Sequence, residues 1–424
     1  MRVPFLLFAD DQGTIYSHPF LRMTAQCSDT YIVPAPDELV TLPEGSTLFY
    51  LPRRFPVGMD PRTKKVEVLT EYAGRPVHAV SAFLIPAFLR LYHPAFSLDT
   101  RARFEKLPLW AYTACGSYGG RTYVTALRVD RRVRQSPRFY DNRLLKRQVR
   151  RFLKKYPSNR LIQHLAHCAL NYNCLAAKNL FFERWEAPLP TSPGCNARCI
   201  GCLSYQKDGC VSSHDRIGFT PTPDEIVQVA VPHLKIAREA LVSFGQGCEG
   251  EPLMQASVIE KAVRKIRNVT SRGTLHMNTN ASLPGAIETL CRAGVDSFRV
   301  SLNSTRPFYY RRYFRPRGYD FVDVIRSIRI AKKYGKFVAV NLLAFPGFTD
   351  QDDEAKSLFS FLKATAVDMV QFRNLNIDPA VYFTCCGPLR NYRGIKKLIT
   401  QVRRKFPALK IGYFNLPKEI FRTF

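Results

Sequence analysis

The sequence has no uninterrupted apolar run long enough to cross a membrane. Its most apolar stretch, 80–96, is broken by an arginine and a histidine, whereas a spanning helix needs roughly 20 consecutive apolar residues. The amino terminus has a short apolar segment that is soon followed by Asp10 and Asp11. That segment is too short and too acidic for a secretory signal. We therefore expect a cytoplasmic protein without a membrane partner.

Acidic residues are also scarce. The 424 residues include 34 Asp and Glu against 63 Lys and Arg, for a net charge of +29. This excess favours anionic partners but does not indicate a fold. The densest basic segment is 121–160, with 14 basic and two acidic residues, and its apolar residues recur at helical spacing. An amphipathic helix with a cationic face is predicted there.

The twelve cysteines are too few, in a chain of this length, for a small scaffold held by disulfides. In a reducing compartment, clustered thiols more often bind metal than form disulfides. With 46% hydrophobic residues the chain can bury a large core, which predicts two or three domains.

The texture of the sequence changes along the chain. Short apolar runs separated by turn residues predict a β-rich or mixed domain over 1–120. A basic helical connector is predicted over 121–184, and a carboxy-terminal extension over 381–424. Between them, 185–380 alternates short β-branched runs with longer helical patterns, which favours parallel strands joined by helices.

The predicted strands of this central part are 187–191, 240–244, 273–278, 297–302, 337–343 and 369–372. The predicted helices are 224–238, 254–267, 283–293, 321–334 and 350–364, followed in the extension by a helix over 395–406 and a strand over 410–413. Six such strand and helix units indicate a closed or partly closed barrel, although a doubly wound open sheet would give much the same pattern. In a barrel the chemistry lies at the carboxyl ends of the strands.

Three cysteines follow the first of these strands on a loop that contains glycine. Cys195, Cys199 and Cys202 have the spacing C-x3-C-x2-C and can converge on one centre, where thiolates suit zinc or an iron–sulfur cluster. A structural zinc site would require a fourth ligand, for which Cys210 and His214 are candidates.

This motif, at this position in a β/α run, resembles that of the radical S-adenosylmethionine (SAM) superfamily. The resemblance implies an α/β fold, a partial (β/α)6 TIM-like barrel with an additional β-rich or mixed amino-terminal domain. It implies that the three cysteines hold a [4Fe–4S] cluster whose fourth iron binds SAM, and that an electron donor such as a flavodoxin or ferredoxin reduces it. SAM cleavage would then give a 5′-deoxyadenosyl radical that abstracts hydrogen from a substrate.

A second motif supports the resemblance. Gly250, Glu251 and Pro252, after the second strand, are similar to the Gly-Gly-Glu-Pro segment of the superfamily, which holds the SAM ammonium group. Glu249 stands where the first glycine is common, so the segment is a variant. The alternative interpretation is a surface turn without a ligand.

Polar residues end the next strands in the same way. The resemblance implies that Asn280, Ser301 and Asn303 contact the ribose and carboxylate of SAM, although each could instead cap the following helix. Arg299, two residues before Ser301 on the same strand, could line the barrel.

Two later segments extend the resemblance. The turn 345–347 is similar to the one that flanks the adenine, and Asn374 and Asn376 are candidates for backbone contacts. The resemblance covers about 185–380 and leaves the first 180 residues without a function.

The remaining cysteines admit two interpretations. Cys168, Cys174, Cys385 and Cys386 could bind an auxiliary cluster, but buried or incidental thiols are favoured. Cys248 could relay a radical, although a packing residue is the simpler interpretation.

His164 and His167 precede Cys168 on a helical pattern and are interpreted as ordinary helix residues. The aromatic and basic run 308–317 could stack bases and hold phosphates, or close over the barrel as a lid, which is the favoured interpretation.

We expect a radical SAM enzyme whose substrate is unidentified. The alternative is an RNA-binding or RNA-modifying protein in which the cysteine cluster has a structural metal role and the basic segments hold RNA. Zinc without sulfide, together with strongly salt-dependent RNA binding, would distinguish this alternative.

Overall fold

The computed structural model describes residues 3–101, 103–132, 134–206, 210–387 and 391–422. The chain forms two compact units. The first consists of Met1–Arg131, Ala344–Ser357 and Phe372–Lys405, and the second consists of Arg132–Leu343, Leu358–Gln371 and Phe406–Phe424.

The first unit is mostly β, as predicted for the amino-terminal part. Its strands are β1 (Phe5–Ala9), β2 (Ile15–Met23), β3 (Ala25–Cys27), β4 (Thr30–Ile32), β5 (Leu39–Thr41), β6 (Thr47–Leu51), β7 (Arg54–Met59), β8 (Val66–Val68), β9 (Glu71–Tyr72), β10 (Arg75–Pro76), β11 (His78–Phe83), β12 (Phe88–Arg90), β13 (His93–Pro94), β14 (Phe96–Leu98), β15 (Cys115–Tyr118) and β16 (Arg121–Arg128). Among the described residues, eleven of them form one sheet. Leu7, Val80 and Val124 from three of its strands share a hydrophobic core.

Three helices follow this sheet in the chain: α1 (Asn142–Lys155), α2 (Arg160–Leu170) and α3 (Leu175–Phe181). The predicted amphipathic helix is α1, which buries Leu145 and Val149 and ends in two lysines. Asp141 caps its first turn by accepting hydrogen bonds from two backbone amides. The first eight residues of the segment 121–160 are a strand, β16, so the helix covers only the later part of that segment.

The second unit is built on a curled, parallel sheet. Its strands are β17 (Glu186–Pro188), β18 (Leu241–Phe244), β19 (Thr274–Thr279), β20 (Ser297–Leu302), β21 (Phe337–Ala344), β22 (Met369–Asn374) and β23 (Lys410–Gly412). These seven strands of the described chain lie side by side in sequence order, from β17 at one edge to β23 at the other. The six predicted strands are confirmed, and the predicted strand over 410–413 joins them at the edge. The sheet is thus a partial barrel.

Helices connect these strands. They are α4 (Pro223–Ile236), α5 (Ala256–Val269), α6 (Pro284–Ala293), α7 (Pro307–Phe314), α8 (Phe321–Lys333) and α9 (Asp352–Thr365), followed by α10 (Pro379–Cys386) and α11 (Ile395–Lys405). Short 3-10 helices occupy Pro36–Glu38, Pro137–Phe139, Pro252–Gln255 and Lys418–Ile420. The helix α7 was not predicted. Within the described residues, no helix is sufficiently long and apolar to span a bilayer.

The first strand is shorter than predicted because of its prolines. Leu189 still donates its amide to the carbonyl of Ser243 at 2.8 Å, but Pro190 has no amide to continue the ladder. The chain therefore leaves the sheet immediately before the cysteine loop. Because β17 to β20 run parallel, the loops that follow them meet at one edge of the sheet.

An aspartate precedes two of the strands and fixes their register. The amide of Asp368 donates to the carbonyl of Val338 at 2.8 Å, and its Oδ2 accepts the amide of Val338 at 2.8 Å. Asp296 makes the same pair of bonds with Leu275, at 2.9 and 2.7 Å. Each side chain thus extends the strand ladder by one residue.

Replacement of Asp368 tests its role in the sheet. Asp368→Ala leaves the amide of Val338 without its acceptor, which should lower the free energy of unfolding. Because the side chain of Asp368 is partly exposed, we expect the loss to be about 1–2 kcal/mol. Asp353→Ala, which removes an exposed carboxylate paired with Lys356, should change stability by less than about 0.5 kcal/mol. Urea unfolding followed by circular dichroism measures both. Equal losses of unfolding free energy in the two variants would contradict the role of Asp368 in the strand ladder.

Candidate active site

The three cysteines of the C-x3-C-x2-C motif lie on the loop after β17. Their thiols are half-buried. The amide of Cys202 donates to the carbonyl of Cys199 at 3.3 Å, and the amide of Ala197 donates to Cys195 Sγ at 3.4 Å. Burial and then the nearness of Cys202 and Cys195 raise the pKa of Cys199 well above its usual range. The three thiols are therefore near enough for their charges to interact.

Arg216 adds a positive charge to this centre. Its Nη2 donates to Cys202 Sγ at 3.4 Å, and its Nε donates to Ser204 Oγ at 3.1 Å. Burial, the larger effect, raises the pKa of Cys195 to about 11, although the charge of Arg216 lowers that pKa. Arg216 was not predicted because it lies in the irregular segment 203–220, of which 207–209 fall outside the described residues.

The predicted SAM segment is joined directly to the cysteine loop. The amide of Gly250 donates to the carbonyl of Ser192 at 2.7 Å, and the amide of Glu251 donates to the carbonyl of Gly194 at 2.9 Å. A Cβ at position 250 would lie 1.9 Å from the carbonyl oxygen of Gly194. Glycine is therefore required at 250 by this close backbone approach.

Glu249 has a different role from the glycine that is common at this position. Its Oε2 accepts the amides of Thr191 and Ser192 at 2.8 and 2.9 Å, and its Oε1 accepts those of Gly245 and Gln246 at 2.6 and 2.7 Å. Burial raises the pKa of the carboxyl to about 7, against these four donors, which lower it. One buried side chain thus joins the ends of β17 and β18.

Glu251 joins the same region to the third strand. Its Oε2 accepts the amide of Asn280 at 2.8 Å, and its Oε1 accepts the hydroxyl of Thr279. Burial raises the pKa of Glu251 to about 7. Asn280 in turn donates from Nδ2 to Asn196 Oδ1 at 2.9 Å. Two of the predicted SAM residues, Glu251 and Asn280, therefore contact each other and the cysteine loop.

Ser301 and Asn303 lie at the end of β20. Ser301 Oγ accepts a hydrogen bond from Asn341 Nδ2 at 3.2 Å and retains its own proton as a donor. Asn303 is fully buried and donates from Nδ2 to the carbonyl of Tyr309 at 3.3 Å. Arg299 lies earlier on the same strand and donates to Gln371 Oε1 at 3.2 Å. Asn303 therefore positions the following helix, whereas Ser301 presents a donor at the strand end.

The aromatic and basic run 308–317 supports the cysteine loop. The carbonyls of Tyr313 and Phe314, in the last turn of α7, accept the amides of Ile200 and Arg198 at 3.1 and 2.9 Å. Tyr310 is also buried, and its ring stacks on that of Phe314 at 4.6 Å. The buried end of this run therefore holds the backbone of the cysteine loop through its carbonyl groups, and the interpretation of the run as a lid stays a prediction.

The segments predicted near the adenine belong to the first unit. The ring of Phe345 packs against Tyr382 at 4.2 Å, and a Cβ on Gly347 would lie 2.5 Å from the amide nitrogen of Ser28. Asn374 donates to the carbonyl of Phe88 at 3.0 Å. A contact of these residues or of Asn376 with adenine stays a prediction.

A cavity of about 230 Å³ lies at the opposite end of the parallel sheet. Its lining includes Ala240 and Gly273, which precede β18 and β19. In parallel α/β sheets, ligands bind at the carboxyl ends of the strands. We therefore place the site at the cysteine loop and not in this cavity.

Replacement of Glu249 tests its role as the acceptor of four amides. Glu249→Gln places an NH2 group against two of the amide donors, and we expect a loss of about 2–4 kcal/mol of unfolding free energy. Glu260→Gln, which changes an exposed pair with Arg264, is the matched control and should cost less than about 0.5 kcal/mol. Guanidinium unfolding measures both. A stable Glu249→Gln variant would contradict the described geometry.

Comparison with known proteins identifies this part of the chain. Residues 189–359 match the family model described as the radical SAM superfamily. The GTP 3′,8-cyclase of Limosilactobacillus fermentum is 27% identical over 176 residues, which are 40% of this chain and 48% of that protein. The GTP 3′,8-cyclase of Petrotoga mobilis is 26% identical over 162 residues, or 38% and 47% of the two chains. The chain spans about half the length of these curated relatives.

The solved structure named next is less similar to this chain in sequence than these two relatives are. A radical SAM methyltransferase from Sphaerobacter thermophilus superposes with a TM-score of 0.39 at 19% identity, over 54% of this chain and 65% of that one. The family match does not favour the alternative of an RNA-binding protein with a structural metal. Members of the matched family are enzymes that bind a [4Fe–4S] cluster and SAM. Residues 189–359 of this chain thus match the radical SAM superfamily, as the cysteine motif predicts.

Proposed function

We propose that this protein reductively cleaves SAM and that the resulting 5′-deoxyadenosyl radical abstracts hydrogen from a substrate. The main support is the junction at which the loop of Cys195, Cys199 and Cys202 joins Gly250 and Glu251 through two backbone hydrogen bonds. This junction places the cysteines next to the segment that is similar to the SAM-binding motif. We also propose that the catalytic domain extends from 185 to 380 and forms a partial (β/α)6 barrel.

The donor set fits a [4Fe–4S] cluster. Three thiols from one loop can each bind an iron, and thiolates are the usual ligands of such clusters. When bound and reduced, a cluster of this kind supplies the electron that breaks a carbon–sulfur bond of SAM. The protein residues bind and orient: the three cysteines hold the irons, and Arg216 balances part of the thiolate charge.

Some residues at the strand ends would contact SAM directly, and others would hold those residues in position. Glu251, Asn280 and Asn303 already bond to protein groups, so we assign them a positioning role. Gly250 and Pro252 shape the backbone, and Ser301 retains a donor for a ligand at the end of β20. This division refines the predicted set of SAM contacts.

The substrate and the electron donor are further parts of the proposal. The curated relatives are named GTP 3′,8-cyclases, so GTP is the first substrate to assay, with RNA as the second. The net charge of +29 suits anionic substrates of either kind. A small acidic electron carrier, such as a flavodoxin or ferredoxin, would supply the electron, and a cytoplasmic location would keep the thiols reduced.

Removal of the three thiols tests the proposal. The variant with Cys195, Cys199 and Cys202 all replaced by alanine should lose its cluster iron and form no 5′-deoxyadenosine from SAM after reduction with dithionite. Iron and sulfide analysis and chromatography of the nucleoside products measure the two losses. Cys291→Ala, which removes a buried thiol on α6, should retain both. Wild-type protein that carries the cluster but forms no 5′-deoxyadenosine would refute the reaction.

Arg216 should tune the cluster. Because its guanidinium contacts a ligand sulfur, Arg216→Gln removes a charge that favours the reduced state, and the reduction potential should fall by on the order of tens of millivolts. Arg198→Gln removes an exposed charge from the same loop and should shift the potential much less. A redox titration followed by electron paramagnetic resonance compares them. Equal shifts would show that contact with the sulfur is unimportant.

A further inference from the structure

A second group of metal-ligating side chains lies in the second unit, apart from the C-x3-C-x2-C motif. Ligand atoms of His164, Cys168 and Cys248 all lie within 4.8 Å of one another. Cys168 Sγ is 3.6 Å from His164 Nε2. Cys168 and Cys248 are only 1% and 5% exposed. The proposed reaction uses none of these three residues.

The fold positions these ligands on well-held backbone. His164 and Cys168 are four residues apart on α2, a spacing that puts both side chains on one face of a helix. Cys248 directly precedes Glu249, whose carboxylate accepts four backbone amides. The three ligands therefore come from two elements, a helix and a turn, each held by its own hydrogen bonds.

His214 is a fourth candidate ligand near this group. His214 Nδ1 is buried and, among the described residues, makes no hydrogen bond. Cys168 and His164 are both close enough to affect the pKa of His214, which burial lowers. A buried imidazole nitrogen without a partner is costly, and a metal ion would satisfy it. His214 thus lies near Cys168 and His164. Its backbone amide donates to the carbonyl of Leu203, next to Cys202, at 3.2 Å, and its role as a fourth ligand of the cysteine loop stays a prediction.

We propose that His164, Cys168, Cys248 and His214 bind a zinc ion. Two thiolates and two imidazoles form a tetrahedral donor set that is typical of structural zinc, and the two thiolate charges neutralise the ion in a buried place. Zinc bonds of about 2.0–2.3 Å require ligand atoms roughly 3.3–3.8 Å apart. The ligand atoms of His164, Cys168 and Cys248 lie within 4.8 Å of one another, so small side-chain movements would close these three around the ion, and His214 would move closer to complete the set.

A zinc ion at this site would link two separate elements of the second unit. Zinc would join α2, which precedes the barrel, to the turn that carries Gly250 and Glu251. This inference does not depend on the proposed function, because the zinc ligands and the cluster ligands are different residues.

The test separates the two metal sites. The full chain is purified without added chelator, and zinc and iron per chain are measured by mass spectrometry in the variant that lacks Cys195, Cys199 and Cys202. We expect one zinc ion and no cluster iron. Adding Cys168→Ser or Cys248→Ser to this variant should abolish zinc binding, whereas adding Cys291→Ala should not. His214→Ala should weaken zinc retention against a competing chelator.

Spectroscopy keeps the test decisive if a serine variant does not fold. Zinc X-ray absorption of the triple-alanine protein should show two sulfur and two nitrogen neighbours, at about 2.3 and 2.0 Å. Cobalt substitution should give the visible bands of a tetrahedral thiolate site. Absence of zinc, zinc that survives Cys168→Ser, or a disulfide between Cys168 and Cys248 in protein alkylated under anaerobic conditions would overturn the proposal.

Discussion

The site depends on one close backbone contact, that of Gly250 against the carbonyl of Gly194. Two backbone hydrogen bonds hold the cysteine loop to the turn after β18, and they form only because no side chain separates the two segments. Backbone atoms have less freedom than side chains, so this contact sets the position of the thiols more firmly than side-chain packing would. The interactions of Glu249, Glu251 and α7 all act on segments that this contact brings together.

The parallel sheet could be predicted from the sequence because its signals are local. Most of the strands contain β-branched residues, several helices have a start signal, and the order of strands in the sheet follows the order in the chain. The cysteine spacing was likewise a local signal. The helix α7 was missed because aromatic residues over 308–314 face both the core and the solvent, which hides the helical period. Its last turn acts through carbonyl groups, for which side chains give no pattern.

Other features depend on contacts between distant parts of the chain. Arg216 reaches Cys202 from an irregular segment without periodicity, and the role of Glu249 appears only when the ends of β17 and β18 are adjacent. His164 and Cys168 had a helical spacing that could have indicated a metal pair, but their partner Cys248 is 80 positions away in the sequence. The first unit also gathers 344–357 and 372–405 with the amino-terminal sheet, a grouping that no local pattern marks.

Four consecutive residues after β18 each have a different neighbour. Cys248 lies by α2, Glu249 accepts amides after β17 and β18, Gly250 contacts Gly194, and Glu251 bonds to the end of β19. Because each position is matched to its own neighbour, the turn has no spare residue. The insertion or deletion of one residue in this turn would displace all the contacts that follow it. Related sequences with this site should therefore vary in length only in other loops.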